Sequence, residues 1–253
     1  MEKVINVERL YASIDGVEIL SDVSFSAFKG EVTVILGGSG SGKSTLLRRL
    51  LGLNPVERGY VSVLGKDIAK ISEEEMNELY LKMGVFYQNG ALMTSMTTGE
   101  NVAMPIYHQS NLPRKLIKEI VRMKLGLVNL EDAYDLYPSQ LSGGMLKRAA
   151  LARAIAMDPP IIFCDEPGAG LDPVSLESLD NLILSLKDLL GMSIVMITHE
   201  VSSIMRVADR IVFLDNGKVI FEGSLKDAVT SELEALKSFF SIIREKKNRK
   251  SNS

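Results

Sequence analysis

The strongest chemical signal in the sequence is a run of glycines and serines that ends in a lysine and a serine. Residues 37–44, here called the phosphate loop, read Gly-Gly-Ser-Gly-Ser-Gly-Lys-Ser and fit G-x-x-x-x-G-K-[ST] at every fixed position. Glycines let the backbone curl so that successive N–H groups point at phosphate oxygens. Lys43 then reaches the β- and γ-phosphates, and the Ser44 hydroxyl binds Mg²⁺. The segment predicts a nucleoside triphosphate site formed by Gly37, Gly38, Ser39, Gly40, Ser41, Gly42, Lys43, Ser44 and Thr45.

Two carboxylates follow an apolar segment further along the chain. Ile161–Cys164 is a run of four apolar residues, and Asp165 and Glu166 come directly after it. Nucleotide sites in parallel sheets lie at the carboxyl ends of the strands. We therefore expect Asp165 to hold Mg²⁺, directly or through water, and Glu166 to orient or deprotonate the attacking water. A surface turn after a core strand is the alternative, and the nearby phosphate loop argues against it.

Apolar segments identify the elements that must position these groups. Val32–Leu36 precedes the phosphate loop, and a helix is predicted from Ser44 to Leu51. Val32–Leu36 is a nearly unbroken apolar run, and such runs are typical of strands that are buried on both faces, as in parallel sheets. Further strands are predicted at Ile161–Cys164, Ser193–Thr198 and Ile211–Leu214, and a helix between Asp172-Pro173 and Gly191.

The order of these segments predicts the fold class. Strands that alternate with helices indicate an α/β fold with a mostly parallel sheet. Residues 4–36 are β-rich, with Asp15-Gly16 as a turn, and predict an antiparallel β region at the N-terminus. Residues from about 90 to 157 have helical character and predict a helical lobe inserted into the sheet. We expect one domain over residues 1–240, followed by a basic tail over residues 241–253.

Composition excludes several functions. The net charge is -3, tryptophan is absent and aromatic residues are few, so neither the basic surface nor the stacking platforms of a nucleic-acid binder are expected. A single cysteine, Cys164, is typical of a reducing compartment. No signal peptide and no apolar run of membrane-spanning length are apparent. These features predict a soluble, cytoplasmic chain that serves a membrane only through a partner.

A third motif makes the pattern specific to one family. Leu141-Ser142-Gly143-Gly144-Met145 resembles the signature of ABC ATPases, which are P-loop NTPases, and the resemblance runs from about residue 4 to about residue 240. It implies ATP and Mg²⁺ as ligands. It also implies that Gln88 contacts Mg²⁺ and senses the γ-phosphate, that His199 is the switch histidine, and that Asp172 is the acid of the D-loop.

The resemblance implies a shared site as well. In this family two subunits bind two ATP molecules between them, so Ser142, Gly143 and Gly144 would face the nucleotide held by the partner's phosphate loop. The Ser142 hydroxyl can donate a hydrogen bond, glycines permit close approach, and a helix from Met145 to Ala156 would direct its N-terminus at the γ-phosphate. We therefore predict a head-to-tail dimer with a second copy of the chain.

The sequence departs from the family pattern at two positions. The signature usually ends in glutamine, and here it ends in Met145. The family also stacks adenine on an aromatic residue in the first β region, where this chain has Ile14. Tyr11 lies three residues earlier, so adenine packs either on Ile14 or on Tyr11.

Within the family, the detailed pattern resembles the lipid-trafficking branch whose ATPases pair with MCE-type permeases. Gln88–Leu92, Ser95–Val102, Met145 and Lys147–Ala154 carry this likeness. It implies an integral-membrane permease dimer, with a groove near Gln88–Thr98 that receives a permease helix. It further implies an MCE-type lipid-binding protein and small accessory subunits as partners, and a peripheral position on the cytoplasmic side of the inner or plasma membrane.

The same ATPase motifs are compatible with two other functions. One is the ATPase subunit of an importer for another cargo, such as amino acids or ions, because cargo does not touch this subunit. The other is a non-transport ABC ATPase in DNA repair or translation. Such proteins commonly carry two cassettes or a long coiled-coil insertion, and this chain shows neither.

The end of the chain differs in composition. Residues 244–250 carry five positive charges and one negative charge, and apolar residues recur before them at helical spacing. The tail either contacts anionic lipid head groups or an adjacent subunit, or it is a solvated terminus.

Overall fold

Strands and helices alternate along the chain as the apolar segments predict. The computed structural model describes residues 1–241. In chain order its elements are β1 (Lys3–Ile14), β2 (Val17–Phe28), β3 (Val32–Leu36), α1 (Lys43–Leu50), β4 (Arg58–Val63), β5 (Lys66–Asp67), α2 (Glu73–Tyr80), β6 (Met83–Phe86), α3 (Thr98–Gln109), α4 (Arg114–Leu127), α5 (Gly143–Ala154), β7 (Ile161–Asp165), α6 (Pro173–Leu190), β8 (Ser193–Ile197), α7 (Val201–Val207), β9 (Arg210–Asp215), β10 (Lys218–Ser224), α8 (Leu225–Thr230) and α9 (Glu234–Phe239).

Two sheets organise these elements. A six-stranded sheet has the order β10-β9-β3-β8-β7-β6, in which all neighbours are parallel except β10, which pairs antiparallel with β9. A four-stranded sheet has the order β2-β1-β4-β5 and is antiparallel throughout. The predicted fold class, a mostly parallel sheet with an antiparallel N-terminal region and helices between β6 and β7, is confirmed.

The central strands are buried on both faces, which explains their nearly unbroken apolar sequences. On β3, Val32, Val34 and Leu36 pack on the side of helices α3 to α6, whereas Ile35 packs on the side of α1 and the antiparallel sheet. Strand β7 divides in the same way between its even-numbered and odd-numbered residues. A strand covered on both faces has no solvent side on which polar residues would be favourable. The parallel sheet therefore brings the carboxyl ends of β3, β6, β7 and β8 to one edge.

Several local predictions are confirmed in detail. Asp15 and Gly16 form the hairpin turn between β1 and β2, with φ of 51° and 78°. Asp172 caps helix α6, which ends at Gly191 in the left-handed conformation. The N-terminal strands, however, are twelve residues long rather than short segments. Strands β4, β5, β6 and β10 were not predicted.

Some predictions lie outside the described residues or are not tested. The basic tail, residues 244–250, and the end of its apolar repeat at Ile243 fall beyond residue 241. The limits of the domain at residues 1–240 and of the lobe at about 90–157 remain predictions. Among the helices of residues 1–241, none combines the length and the apolar character needed to cross a membrane.

Candidate active site

The phosphate loop lies between β3 and α1, and its backbone requires glycine at two positions. Gly37 has a φ of 154°, and a Cβ there would lie 2.1 Å from the Leu214 carbonyl oxygen. Gly42 has a φ of 102° and directly precedes α1, where a Cβ would lie 2.6 Å from the Leu20 side chain. Side chains are sterically excluded at such positions. The loop therefore keeps the curled shape that directs backbone N–H groups to an anion at the helix N-terminus.

The Lys43 side chain folds back onto the phosphate loop. Its ammonium group donates hydrogen bonds to the carbonyl oxygens of Gly37 at 2.8 Å and Gly38 at 2.7 Å. Burial lowers the pKa of Lys43, and the negative charges of Glu166 and Asp165 oppose that shift. Lys43 is thus placed between the loop and the acidic end of β7, as a phosphate-binding lysine requires.

Asp165 ends strand β7 and is half-buried. Burial raises its pKa, the neighbouring charge of Glu166 adds to this effect, and Lys43 and Arg48 oppose it. Asp165 therefore lies close enough to Lys43 and Arg48 for their positive charges to act on its carboxylate. Arg48, on α1, was not among the predicted site residues.

Glu166 is the most constrained residue of the site. Its φ is 46°, unusual for a residue other than glycine, and its N–H donates to the Ile197 carbonyl at 2.8 Å. The carboxylate is buried, with 14% of its side chain exposed. One oxygen, Oε1, lies 2.8 Å from His199 Nδ1. The other, Oε2, is buried without a hydrogen-bond partner in the described part of the chain, which suits a group that receives a water molecule.

His199 follows strand β8 and faces Glu166. The hydrogen bond to the Glu166 carboxylate is the main cause that raises the pKa of His199, and burial opposes it. Since a carboxylate only accepts, His199 Nδ1 carries the proton in this contact. The ring is 63% exposed, so a phosphate group can approach its other nitrogen, Nε2, which lies 3.8 Å from Glu200 Oε1. The contact joins two residues that were predicted separately.

Gln88 lies at the same edge of the sheet. Strand β6 pairs with β7 so that Phe86 is opposite Cys164, and Gln88 follows two residues later. Its side chain is exposed, while its carbonyl oxygen accepts a hydrogen bond from Lys147. The lysine was not predicted as part of the site. Its partner is a main-chain oxygen, and no residue pattern reveals such a contact.

The signature segment forms the exposed start of α5. Ser142 caps the helix, and its Oγ accepts a hydrogen bond from the Met145 N–H at 3.3 Å. The helix begins at Gly143 and ends at Ala154, two residues earlier at each end than the predicted Met145–Ala156. In the described part of the chain, no atom beyond the neighbouring residues and the backbone of the helix itself lies within 4 Å of a Cβ built at Gly143 or Gly144. The helix N-terminus is therefore open to a ligand supplied by another molecule.

The first departure from the family pattern, Met145, has a simple structural consequence. The backbone N–H of Met145 makes the capping bond, so that bond does not depend on a glutamine side chain. The Met145 side chain packs against the helical core.

Asp172, the predicted acid of the D-loop, accepts hydrogen bonds from the N–H groups of Val174 and Ser175. The bonds from Ser175 are the main cause that lowers the pKa of Asp172.

The structure places Ile14, and not Tyr11, beside the phosphate loop. Ile14 is 46% exposed and lines a cavity of about 250 Å³ together with Ile19 and residues 40–45. Tyr11 lines a separate cavity, and the Arg58 guanidinium covers its ring at 3.9 Å from the centroid. The geometry favours Ile14 as the residue on which adenine packs.

Replacement of Ile14 tests this assignment. Ile14→Ala should raise the Kd for ATP about 5-fold, because burial of an aliphatic side chain against the base contributes about 1 kcal/mol. Tyr11→Ala is the matched control and should leave the Kd unchanged. Titration with a fluorescent ATP analogue measures both. The reverse order of effects would assign adenine to Tyr11.

The residues present fit a bound Mg²⁺. Ser44 and Asp165 supply hard oxygen donors beside the phosphate loop, and Gln88 adds an amide oxygen at the same edge. Within residues 1–241, no cluster of three or more His, Cys, Asp or Glu side chains forms a cage. Mg²⁺ usually takes one or two protein oxygens and completes its shell with substrate phosphates and water, so this sparse donor set is suitable.

Comparisons with known sequences agree with this site. The sequence profile of the "ABC transporter" family matches residues 20–169. The intermembrane phospholipid transport system ATP-binding protein MlaF of Haemophilus influenzae is 41% identical over 85% of this chain and 81% of its own length. MlaF of Escherichia coli is 39% identical over 81% of this chain and 77% of its own length. The methionine import ATP-binding protein MetN of Carboxydothermus hydrogenoformans is 40% identical over 88% of this chain and 66% of its own length.

Solved structures show the same fold. CbiO1 from Clostridium perfringens, part of the ABC transporter complex CbiONQ, has a TM-score of 0.83 and 28% identity, covering 95% of both chains. A dimeric, post-hydrolysis state of the ATP-binding cassette MJ0796 bound to ADP and Pi has a TM-score of 0.78 and 28% identity. It covers 87% of this chain and 98% of that chain.

Proposed function

Because this chain belongs to the ABC transporter family and is an ATP-hydrolysing cassette, we propose that it powers phospholipid movement through a partner permease. The observation that supports this proposal is the similarity of the chain to two phospholipid-transport ATPases, which extends over most of this chain and most of each relative. An importer ATPase is the second candidate, since a methionine import ATPase is almost equally similar. Both candidates share the chemistry of the site.

The contacts described above support the following catalytic roles. Backbone N–H groups of the phosphate loop and Lys43 bind the triphosphate. Ser44, Asp165 and Gln88 would hold Mg²⁺, which neutralises charge on the β- and γ-phosphates. Glu166 orients or deprotonates the attacking water through Oε2, because His199 engages Oε1.

The site is completed by a second copy of the chain. Ser142, Gly143 and Gly144 stand at an exposed helix N-terminus with open space in front of it. Asp172 lies at the start of α6, next in sequence after the acidic end of β7, and would contribute at the same interface. In a head-to-tail dimer the signature segment of each chain covers the nucleotide of the other. ATP binding would then close the dimer, and hydrolysis would reopen it.

A groove beside Gln88 suits the permease. It has a volume of about 560 Å³ and runs between the end of β6 and helix α3, with Tyr87, Met104, Pro105 and His108 among its lining residues. Its lining is mainly apolar, and it borders the loop that carries Gln88. A permease helix in this groove would therefore sense or move the catalytic loop. Such docking would place the chain peripherally on the cytoplasmic side of the inner or plasma membrane.

Purification from gently solubilised membranes tests the proposed partners. The tagged chain should bring with it a polytopic permease, an MCE-type protein, any small accessory subunits and bound phospholipid, all identifiable by mass spectrometry. Met104→Arg is the control, because a charge in the apolar groove should remove the permease and leave the chain's own ATPase activity intact. A permease with a solute-binding protein would support the importer, and ATPase activity without any membrane partner would contradict both candidates.

A further inference from the structure

Helix α5 holds the loop that carries Gln88. The Lys147 ammonium donates a hydrogen bond to the Gln88 carbonyl. Arg153, on the same helix, donates to the Gly90 carbonyl at 2.7 Å and the Ala91 carbonyl at 2.6 Å. The helix that begins at the signature segment therefore fixes three carbonyl groups of the segment between β6 and α3.

Lys147 is an unusual residue for this purpose because its charge is buried. The residue is 9% exposed, and its ammonium lies 5.9 Å from the centroid of the Phe86 ring on β6. Burial lowers its pKa, and the negative charge of Glu166 opposes that shift. A buried ammonium is unfavourable unless acceptors and opposite charges surround it. The Lys147 ammonium is therefore stabilised by its hydrogen bond to the Gln88 carbonyl and by the negative charge of Glu166.

We propose that Lys147 is a positioning residue for ATP hydrolysis, which fixes the Gln88 main chain against α5 so that the Gln88 side chain reaches the Mg²⁺ site. This inference rests on the role proposed for Gln88 above. Within residues 1–241 the Gln88 side chain makes no hydrogen bond, so its position depends on its main chain. Because α5 begins at the segment that would face the partner's nucleotide, the same contact links that nucleotide to Gln88.

The test replaces Lys147 in the full-length chain and measures ATPase activity at varied ATP and Mg²⁺ concentrations. Amide hydrogen exchange of residues 88–92 in the nucleotide-free chain is the readout that does not depend on turnover; it should be faster without Lys147, and unchanged exchange would overturn the proposal. Lys147→Met removes the donor and the charge at similar volume. We expect kcat to fall about 10-fold and the Mg²⁺ concentration for half-maximal activity to rise about 5-fold, with the KM for ATP within about 2-fold of wild type. Lys66→Met, at an exposed ion pair on β5, is the matched control and should leave all three unchanged.

A double-mutant cycle separates positioning from a merely structural role. If Lys147 acts through the Gln88 side chain, Lys147→Met should cause no further loss of kcat in a Gln88→Ala background. Additive losses, or an unchanged Mg²⁺ requirement in Lys147→Met, would overturn the proposal. If Lys147→Met unfolds at the assay temperature, Lys147→Leu is used with the same two outcomes, because its apolar side chain has no donor for the carbonyl. A wild-type chain without ATPase activity would instead contradict the proposed function.

Discussion

Glu166→Gln should bind ATP as tightly as the wild-type chain and hydrolyse it at least about 100-fold more slowly, since a positioned general base typically contributes 10²–10⁴-fold. The amide has nearly the shape of the carboxylate, so the turn at Glu166 and its N–H bond to Ile197 are retained. What is lost is the negative charge of the carboxylate, whose Oε2 has no hydrogen-bond partner within residues 1–241. Without hydrolysis, the closed dimer should accumulate in ATP.

Three measurements on the same samples check this prediction. Phosphate release gives the turnover, a fluorescent ATP analogue gives the affinity, and size-exclusion chromatography in ATP and in ADP gives the dimer fraction. Glu74→Gln, at an exposed carboxylate on α2, is the matched control and should behave as wild type. Wild-type turnover in Glu166→Gln would show that another group activates the water.

Ser142→Arg should abolish hydrolysis and leave ATP binding by the same chain unchanged. Ser142 stands at the open N-terminus of α5, where the larger, charged side chain would obstruct the partner's phosphate loop. The loss of a serine helix cap costs about 1 kcal/mol of stability, which is too little to unfold most domains. We therefore expect at least about a 100-fold loss of turnover, of the size seen when a group that binds the reacting phosphate is lost.

The control for this variant removes the same kind of cap elsewhere. Ser72 caps α2, and its Oγ accepts a hydrogen bond from the Glu75 N–H at 3.2 Å. Ser72→Arg should lower the melting temperature by a similar amount and retain ATPase activity. Equal turnover losses in the two variants would mean that Ser142 matters only as a cap.

The fold class could be predicted from the sequence because burial on both faces leaves a direct trace in residue type. Val32–Leu36 is apolar except for Thr33, Ile161–Cys164 is apolar throughout, and each ends at groups with recognisable chemistry. The edge strand β10 left no such trace, since its residues are only partly buried or exposed along its length. Strand β4 pairs with β1, which lies some fifty residues earlier in the chain, and this long-range pairing stabilises the strand. Its segment Arg58–Val63 alone is ambiguous.

Within the site, individual residues were predictable and their contacts were not. Glu166 and His199 were each assigned from a strand end, but their hydrogen bond follows from the adjacency of β7 and β8. The choice between Ile14 and Tyr11 depends on the register of the β1–β2 hairpin, which contains several bulges. The role of Lys147 escaped prediction because its acceptor is a backbone carbonyl.

The most direct test of the account is a cross-link between two differently labelled chains. Cys164 is 1% exposed and does not react readily, so Ser39→Cys in one chain and Ser142→Cys in the other supply the accessible thiols. In the Glu166→Gln background, mild oxidation in ATP should join the two chains, because a disulfide requires the phosphate loop and the signature segment to meet. Neither variant alone should cross-link in this way, and ADP should suppress the product. An ATP-loaded mixture that yields no product joining the two chains would contradict the shared site.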